Sequence, residues 1–420
     1  MKISRLWTKD FSMITLATIL SAIGGEAMNL PVSLLVFDET KSTMLSAIIM
    51  VCGMLPDVVL PVFIAPLIDK GSKKKWIVSL DLLMALIFLG TGFYVLSNPF
   101  NYLFYVVFTL VIGTISVFYR LSYMAWYPDL IPMGMEQKGY AVSGTIYPTV
   151  TIVMAPVAAF LYKNVSLGYI FMFVALLMFI SVVAEMYITE VRAKVQEKYA
   201  FKQYKDDILE GFHYLKKEKG IRNIYTYMSI TNGASNGTYM MTQAFYQTQP
   251  WLTVTMLGFL RSSETLGRVL GGLLQYKKVV PVKKRFALTK FVYVFYDSMD
   301  AFLLFMPYPL MLVNRFLCGA FGSTSATIRE TAVQSYLPAE IRARINALFN
   351  VVFAIGGIFF QLVAGYLGQH LPFRTVAMIL GLFTLCAMFI FIWIPGKENR
   401  PVYEAVREES LIHDSVEATS

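Results

Sequence analysis

Residues 65–81 read APLIDKGSKKKWIVSLD, a short basic stretch between two apolar segments. Those segments, Met44 to Ile64 and Trp76 to Leu96, are each long enough to cross a bilayer as a helix. A connection this short admits only a tight hairpin between two membrane helices. Its charged groups, Asp69, Lys70, Lys73, Lys74 and Lys75, mark which side of the membrane it occupies.

Apolar runs of about twenty residues recur along almost the whole chain. Only 15% of the 420 residues are charged, where a soluble domain carries about a quarter. Mean hydropathy is +0.58. The net charge of +9 comes from basic residues in short loops between spans, so no nucleic-acid partner is expected. Cys52, Cys318 and Cys386 lie inside apolar segments, and His213, His370 and His413 are scattered without ligand spacing. Neither a disulfide nor a metal or other cofactor is expected. The absence of a Walker-type phosphate loop argues against an ATP-driven pump. The first apolar run, 11–36, is too long for a signal-peptide core.

Twelve spans are expected, at about 11–36, 44–68, 76–96, 102–125, 140–162, 167–188, 222–246, 252–276, 286–305, 308–334, 345–368 and 373–395. With the N-terminus inside, the cytoplasmic pieces hold 27 Lys and Arg and the opposite loops hold 3, namely Lys41, Lys163 and Arg374. That asymmetry sets both termini in the cytoplasm. The largest interruption, Thr189 to Ile221, carries Phe201, Ile208, Leu209, Phe212 and Leu215 at helical spacing among charged residues. It reads as an amphipathic surface helix. The expected organisation is a six-helix half at 1–188, a linker at 189–221, a second six-helix half at 222–396 and a disordered tail at 397–420. The halves resemble each other at an offset of 206: Pro132 falls on Pro338, Ala141 on Ala347 and Gly113 on Gly319. Such repeats are typical of transporters.

With these features the chain resembles the major facilitator superfamily. The Asp69–Lys70 and Lys73–Lys74 pattern is similar to that superfamily's signature between its second and third helices, with Ala65 and Ser72 standing where glycine is usual. Asp81, YPDLIP at 127–132, DDILEGFHYLKKEKGIRN at 206–223 and LPAEIRARINALF at 337–349 resemble the branch of macrolide-efflux proteins and siderophore exporters. The resemblance implies an all-α membrane protein, twelve transmembrane helices in two pseudo-symmetric halves. It also implies a cytoplasmic latch in which Asp69 and Asp81 pair with lysines such as Lys70, Lys73 and Lys74, or with Arg342 and Arg344. The plainer reading of that loop is a topological stop.

An ionised side chain at bilayer depth needs a partner, a water-filled cavity or a function. At ~1.5 Å per residue, Glu26 lies roughly 22 Å and Asp57 roughly 16 Å from the inner ends of their helices. Either is a candidate coupling carboxylate, or a hydrogen-bonded structural acid. Glu26 falls on Asn232 at the repeat offset. Arg261, Glu264 and Arg268 share one face of a helix, leaving one cation for Asp297; Asp300 and Arg315 match in depth. This reads as an ion network holding the second half, with Glu264 alternatively a proton carrier. Arg120 is expected to snorkel. Tyr119, Tyr123, Tyr147, Asn236, Tyr239, Gln243 and Asn314 are expected to line a cavity suited to a bulky amphipathic solute.

The expected function is proton-coupled export of a drug-like or siderophore-like solute through a bacterial inner or plasma membrane. The expected partners are a small-molecule substrate, protons and the bilayer, and the expected form is a monomer. Rivals are lysophospholipid movement and a non-transporting receptor or scaffold. No motif points to an enzyme.

Overall fold

The computed structural model describes residues 6–61, 64, 68, 72–189, 211–277 and 280–406. Among these, twelve long helices follow one another and there is no strand. The first six are α1 (Lys9–Thr40), α2 (Thr43–Val59), α3 (Lys73–Ser97), α4 (Tyr102–Leu130), α5 (Glu136–Asn164) and α6 (Leu167–Met186). The second six are α7 (Lys219–Thr248), α8 (Val254–Lys277), α9 (Val282–Phe302), α10 (Tyr308–Tyr336), α11 (Ala339–His370) and α12 (Phe373–Met388). Each expected span falls on one of these helices. A short α13 (Gly396–Tyr403) follows.

Two devices start most of these helices. Thr8, Ser42, Ser72 and Asn101 cap α1 to α4, each accepting a backbone N–H at 3.2 Å. In contrast α9, α10, α11 and α12 each begin directly after a proline: Pro281, Pro307, Pro338 and Pro372. Proline fixes φ for the turn into the helix and brings no N–H that would need a partner. Internal Pro31, Pro56, Pro128, Pro148 and Pro156 are tolerated within α1, α2, α4 and α5.

The chain divides into two compact units, Met1–Phe201 with Tyr246–Ser262, and Lys202–Phe245 with Ser263–Ser420. In the first, α3 packs on α6, α1 on α5 and α6, and α2 on α4. Phe88, Phe108 and Phe171 meet at its centre, with ring centroids 5.3 to 6.2 Å apart. In the second, α9 packs on α12 and α10, around Ile221, Tyr227, Tyr293, Ile345 and Met388. Leu86, Phe93, Val107, Phe160, Leu176 and Val183 stay exposed, an outer surface suited to lipid.

Helices in lipid are held by close packing rather than by expulsion of water, so small residues sit where they cross. The two glycines matched at the repeat offset do this work. A side chain on Gly113 would lie 2.8 Å from the Gly53 carbonyl of α2, and one on Gly319 would strike the Glu264 carbonyl of α8. The α2–α4 crossing of one unit and the α8–α10 crossing of the other therefore rest on matched positions.

Two expectations change. The tail from Lys397 is not disordered throughout: α13 buries Asn399, Val402 and Tyr403 completely. Asn399 donates to the carbonyls of Phe391 and Ile392 and bonds Asn223 at 3.2 Å, so a polar sequence is held by filling another helix's open end. In the linker, Phe201, Ile208 and Leu209 lie outside the described residues. Residues 211–217 are helical, and Leu215 packs with Ile345 and Leu348 of α11, leaving Phe212 exposed.

Candidate functional site

In the first unit, Glu26 on α1 meets groups from two other helices. Thr151 of α5 donates to its Oε1 at 3.0 Å. Arg261 of α8 donates Nη2 to Oε1 at 3.2 Å, and its Nη1 lies 3.1 Å from Oε2. The carboxylate thus takes one hydrogen bond from the guanidinium, and its second oxygen stands in ion-pair contact with the other arm. The start of α8 is seated for this by its contact with α5. Ser262 donates to the Ile152 carbonyl at 2.6 Å, and Gly258 lies so near Pro156 and the Ala155 carbonyl that a Cβ would stand 2.5 to 2.6 Å away. The expected partner of Arg261 was Asp297; this is corrected, because depth along a helix does not say which neighbour the side chain faces.

Asp57 on α2 pairs with Arg120 on α4 at 2.6 Å. Both side chains are about half exposed, at 45% and 51%. The snorkelling reading of Arg120 is corrected: its guanidinium goes to a carboxylate on the neighbouring helix.

Asp81 is corrected too. Its side chain is wholly buried inside the first unit and so is not at a surface where a latch could form. It lies beside Ser181 and Glu185 of α6. Glu185 is also fully buried, and the Tyr119 hydroxyl donates to its Oε1 at 3.4 Å. Two carboxyl groups face each other with no ion-paired cation among the described residues. Neither oxygen of Asp81 has a hydrogen-bond partner among the described residues. Glu185 was missed at the sequence level; the signal was a lone acid in the otherwise apolar run of α6.

Of the other latch residues, Asp69 and Lys70 lie outside the described residues. Lys74 donates to the Met186 and Ile188 carbonyls at 2.8 and 2.7 Å, closing the open end of α6. Lys73 reaches the Ala125 carbonyl at 2.7 Å and Asp129 at 3.4 Å. Both lysines therefore fasten neighbouring helices of their own unit. Arg342 donates to the Leu337 carbonyl at 2.9 Å, and Arg344 is half-buried on α11.

In the second unit, Glu264 and Arg268 of α8 pair with each other, Arg315 of α10 pairs with Asp300 of α9, and Glu264 stands 3.8 Å from Arg315. Ser235 of α7, another residue not foreseen, donates to Asp300 at 3.3 Å. Two cations meet two anions across α8, α9 and α10. Asp297 stands outside this network and accepts from the Tyr227 hydroxyl at 2.9 Å. Asn314 is also corrected. It is 3% exposed and bonds the Met299 carbonyl and Arg315, so it orients the network instead of lining a cavity. Gln243, 4% exposed, is buried as well, donating to the Tyr239 hydroxyl at 3.4 Å. Asn232 reaches the Phe353 carbonyl of α11 at 3.4 Å, and Asn236 is half-buried. In the first unit Tyr119 stacks on Tyr123, whose hydroxyl accepts from Thr18 at 3.1 Å, and Tyr147 is exposed. Among the described residues no cluster of His, Cys, Asp and Glu is placed to hold a metal ion.

The sequence profile of the Major Facilitator Superfamily matches residues 14–296 and 299–416. The chain belongs to that family: it is an integral membrane protein of a transporter superfamily. Nucleoside transporter NupG, in the crystal structure of a mutant, superposes with a TM-score of 0.66 at 14% identity, covering 91% of this chain and 99% of that one. A bacterial homologue of the human lysosomal transporter Spinster, in an inward-facing and unoccupied conformation, gives 0.62 at 11% identity over 95% and 98%. The E. coli fucose:proton symporter FucP gives 0.59 at 16% over 93% and 99%. At these identities the likeness is one of fold. No curated protein matches the sequence.

Proposed function

We propose that the protein is a proton-coupled secondary transporter that exports an amphipathic drug-like or siderophore-like solute by alternating access. Its place is a bacterial inner or plasma membrane, as a monomer with both termini in the cytoplasm. The observation that carries the reading is the grip of Arg261 and Thr151 on Glu26. A carboxylate held by a guanidinium at bilayer depth is stable only while it is charged. A proton delivered to Glu26 removes the charge that Arg261 holds, and the contact is released. Protonation is thereby converted into freedom of α8 against α1 and α5. A cationic solute and a proton compete for the same carboxylate, which is the logic of exchange. The aromatic face of Tyr119, Tyr123 and Tyr147 suits a solute with large apolar surface and few fixed hydrogen bonds.

Everted membrane vesicles from a drug-sensitive host lacking its own pumps provide the test. With an imposed pH gradient, wild type accumulates a cationic amphipathic compound and Glu26→Gln abolishes that flux at equal protein level. Flux that follows a sodium gradient and ignores pH, or that survives Glu26→Gln, refutes the proton role of Glu26. Movement of lysophospholipid in place of drug in the same vesicles overturns the substrate assignment.

A further inference from the structure

A cavity of about 410 Å³ lies in the second unit, apart from the carboxylates above, between the start of α9, the end of α12 and α13. Its origin is local. After α12 the chain takes one wider π-helical turn, Phe389–Trp393, and stops at Pro395, which has no N–H to continue the helix. That turn sets Trp393 against α9, with Lys290 Nζ 4.4 Å from its ring centre and 4.9 Å from that of Phe286. Lys283 and Lys290 are two turns apart on α9 and face the same way. Lys397 and Arg400 are one turn apart on α13. All four cations line the cavity, with one carboxylate, Glu404, which pairs with Arg400 at 2.8 Å.

The rim has two characters. Trp393 and Ile394 are exposed at 47% and 76%, and they continue the apolar surface of α12. The cations lie just beyond them. This is the order of groups met on passing from acyl chains to headgroups, with tryptophan at the boundary. The charge count assigns this end of α9 and α12 to the cytoplasmic side. A volume of about 410 Å³ exceeds the roughly 30 Å³ of a single water many times over and admits a glycerophosphate group.

We propose that this hollow binds the headgroup of an anionic glycerophospholipid from the surrounding leaflet. Its phosphate rests on Lys290 and Lys397, Lys283 and Arg400 close the sides, and its acyl chains lie along Trp393 and Ile394. Basic pockets between membrane helices select anionic headgroups in this way. Free phosphate shares the charge but gains nothing from the apolar rim. The site binds a lipid of the membrane and is independent of the solute that is carried.

Native mass spectrometry of the full chain, titrated separately with phosphatidylglycerol, phosphatidylcholine and inorganic phosphate, tests this without reading transport. Phosphatidylglycerol is expected to bind at least tenfold more tightly than phosphatidylcholine. The double variant Lys290→Gln, Lys397→Gln is expected to erase that preference. Glu404→Gln, which frees Arg400, is expected to strengthen phosphatidylglycerol binding several-fold and decides the matter if the double variant does not fold. Equal binding of the two lipids, an unchanged preference in the double variant, or no gain in Glu404→Gln overturns the site. Inorganic phosphate binding as tightly as phosphatidylglycerol overturns the lipid assignment in favour of a free anion.

Discussion

Glu26 is held by a guanidinium and a hydroxyl, while Asp81 faces a second acid, so two buried carboxylates of one unit have opposite requirements. Removing either member of the Glu26–Arg261 pair leaves the other without its charge partner. A double-mutant cycle of Glu26→Gln and Arg261→Gln is therefore expected to give a coupling of about 1–3 kcal/mol in unfolding from detergent. Additive single effects refute the pair. Asp81→Asn keeps the shape, removes the ionisable group and offers an amide donor to Glu185. It is expected to leave stability unchanged within about 1 kcal/mol, whereas Asp81→Ala, which opens a void beside the buried Glu185, costs about 1–3 kcal/mol. Equal losses for both variants refute the carboxyl pair. That Glu26, Asp57 and Asp81 sit among spans was legible from their apolar surroundings. Their partners were not, because Thr151, Arg120 and Glu185 lie 63 to 125 positions away or are brought in by helix rotation. Helical spacing orders residues along an axis and says nothing of which neighbour lies across it.

The α2–α4 and α8–α10 crossings depend on Gly113 and Gly319, where any side chain meets a carbonyl of the partner helix. Gly319→Val is expected to lower stability by about 1–3 kcal/mol, with loss of folded protein in a thermal assay. Gly322→Ala on the same helix meets only a tyrosine ring edge at 3.6 Å and serves as the tolerated control. Helix α13 makes a comparable case through hydrogen bonding. Asn399→Ala leaves the Phe391 and Ile392 carbonyls of the π-helical turn after α12 without that donor, at a cost of about 1–3 kcal/mol. Seven of the described helices, α1, α3 to α6, α11 and α12, are apolar and long enough to be recognised by those properties alone. Helices α7 to α10 carry Asn232, Arg261, Glu264, Asp297 and Arg315, which lower their hydropathy. Their place was legible only because loops and charges bounded them. Helix α13 was not legible, since its polar residues satisfy the ends of other helices and leave no apolar stripe to find.

For the molecule as a whole, the 27-to-3 distribution of basic residues predicts its orientation. In a cysteine-free background, single cysteines at Lys41 and Lys163 are expected to react with a membrane-impermeant thiol reagent on intact cells. Cysteines at Lys75 and Lys284 are expected to react only in everted vesicles, and the reverse pattern inverts the topology. Family membership was legible because the hairpin is written in residues adjacent in sequence and the repeat returns at a fixed offset. The paired acids were not, because they form only when six helices close on one another. The quartet of Arg268, Glu264, Arg315 and Asp300 carries equal numbers of positive and negative charges when both acids are ionised. Displacing a neutral group through the electric field of an energised membrane does no work, whereas one unbalanced charge is worth about 2.3 kcal/mol per 100 mV. The quartet as a unit therefore presents no net charge for the membrane voltage to act on.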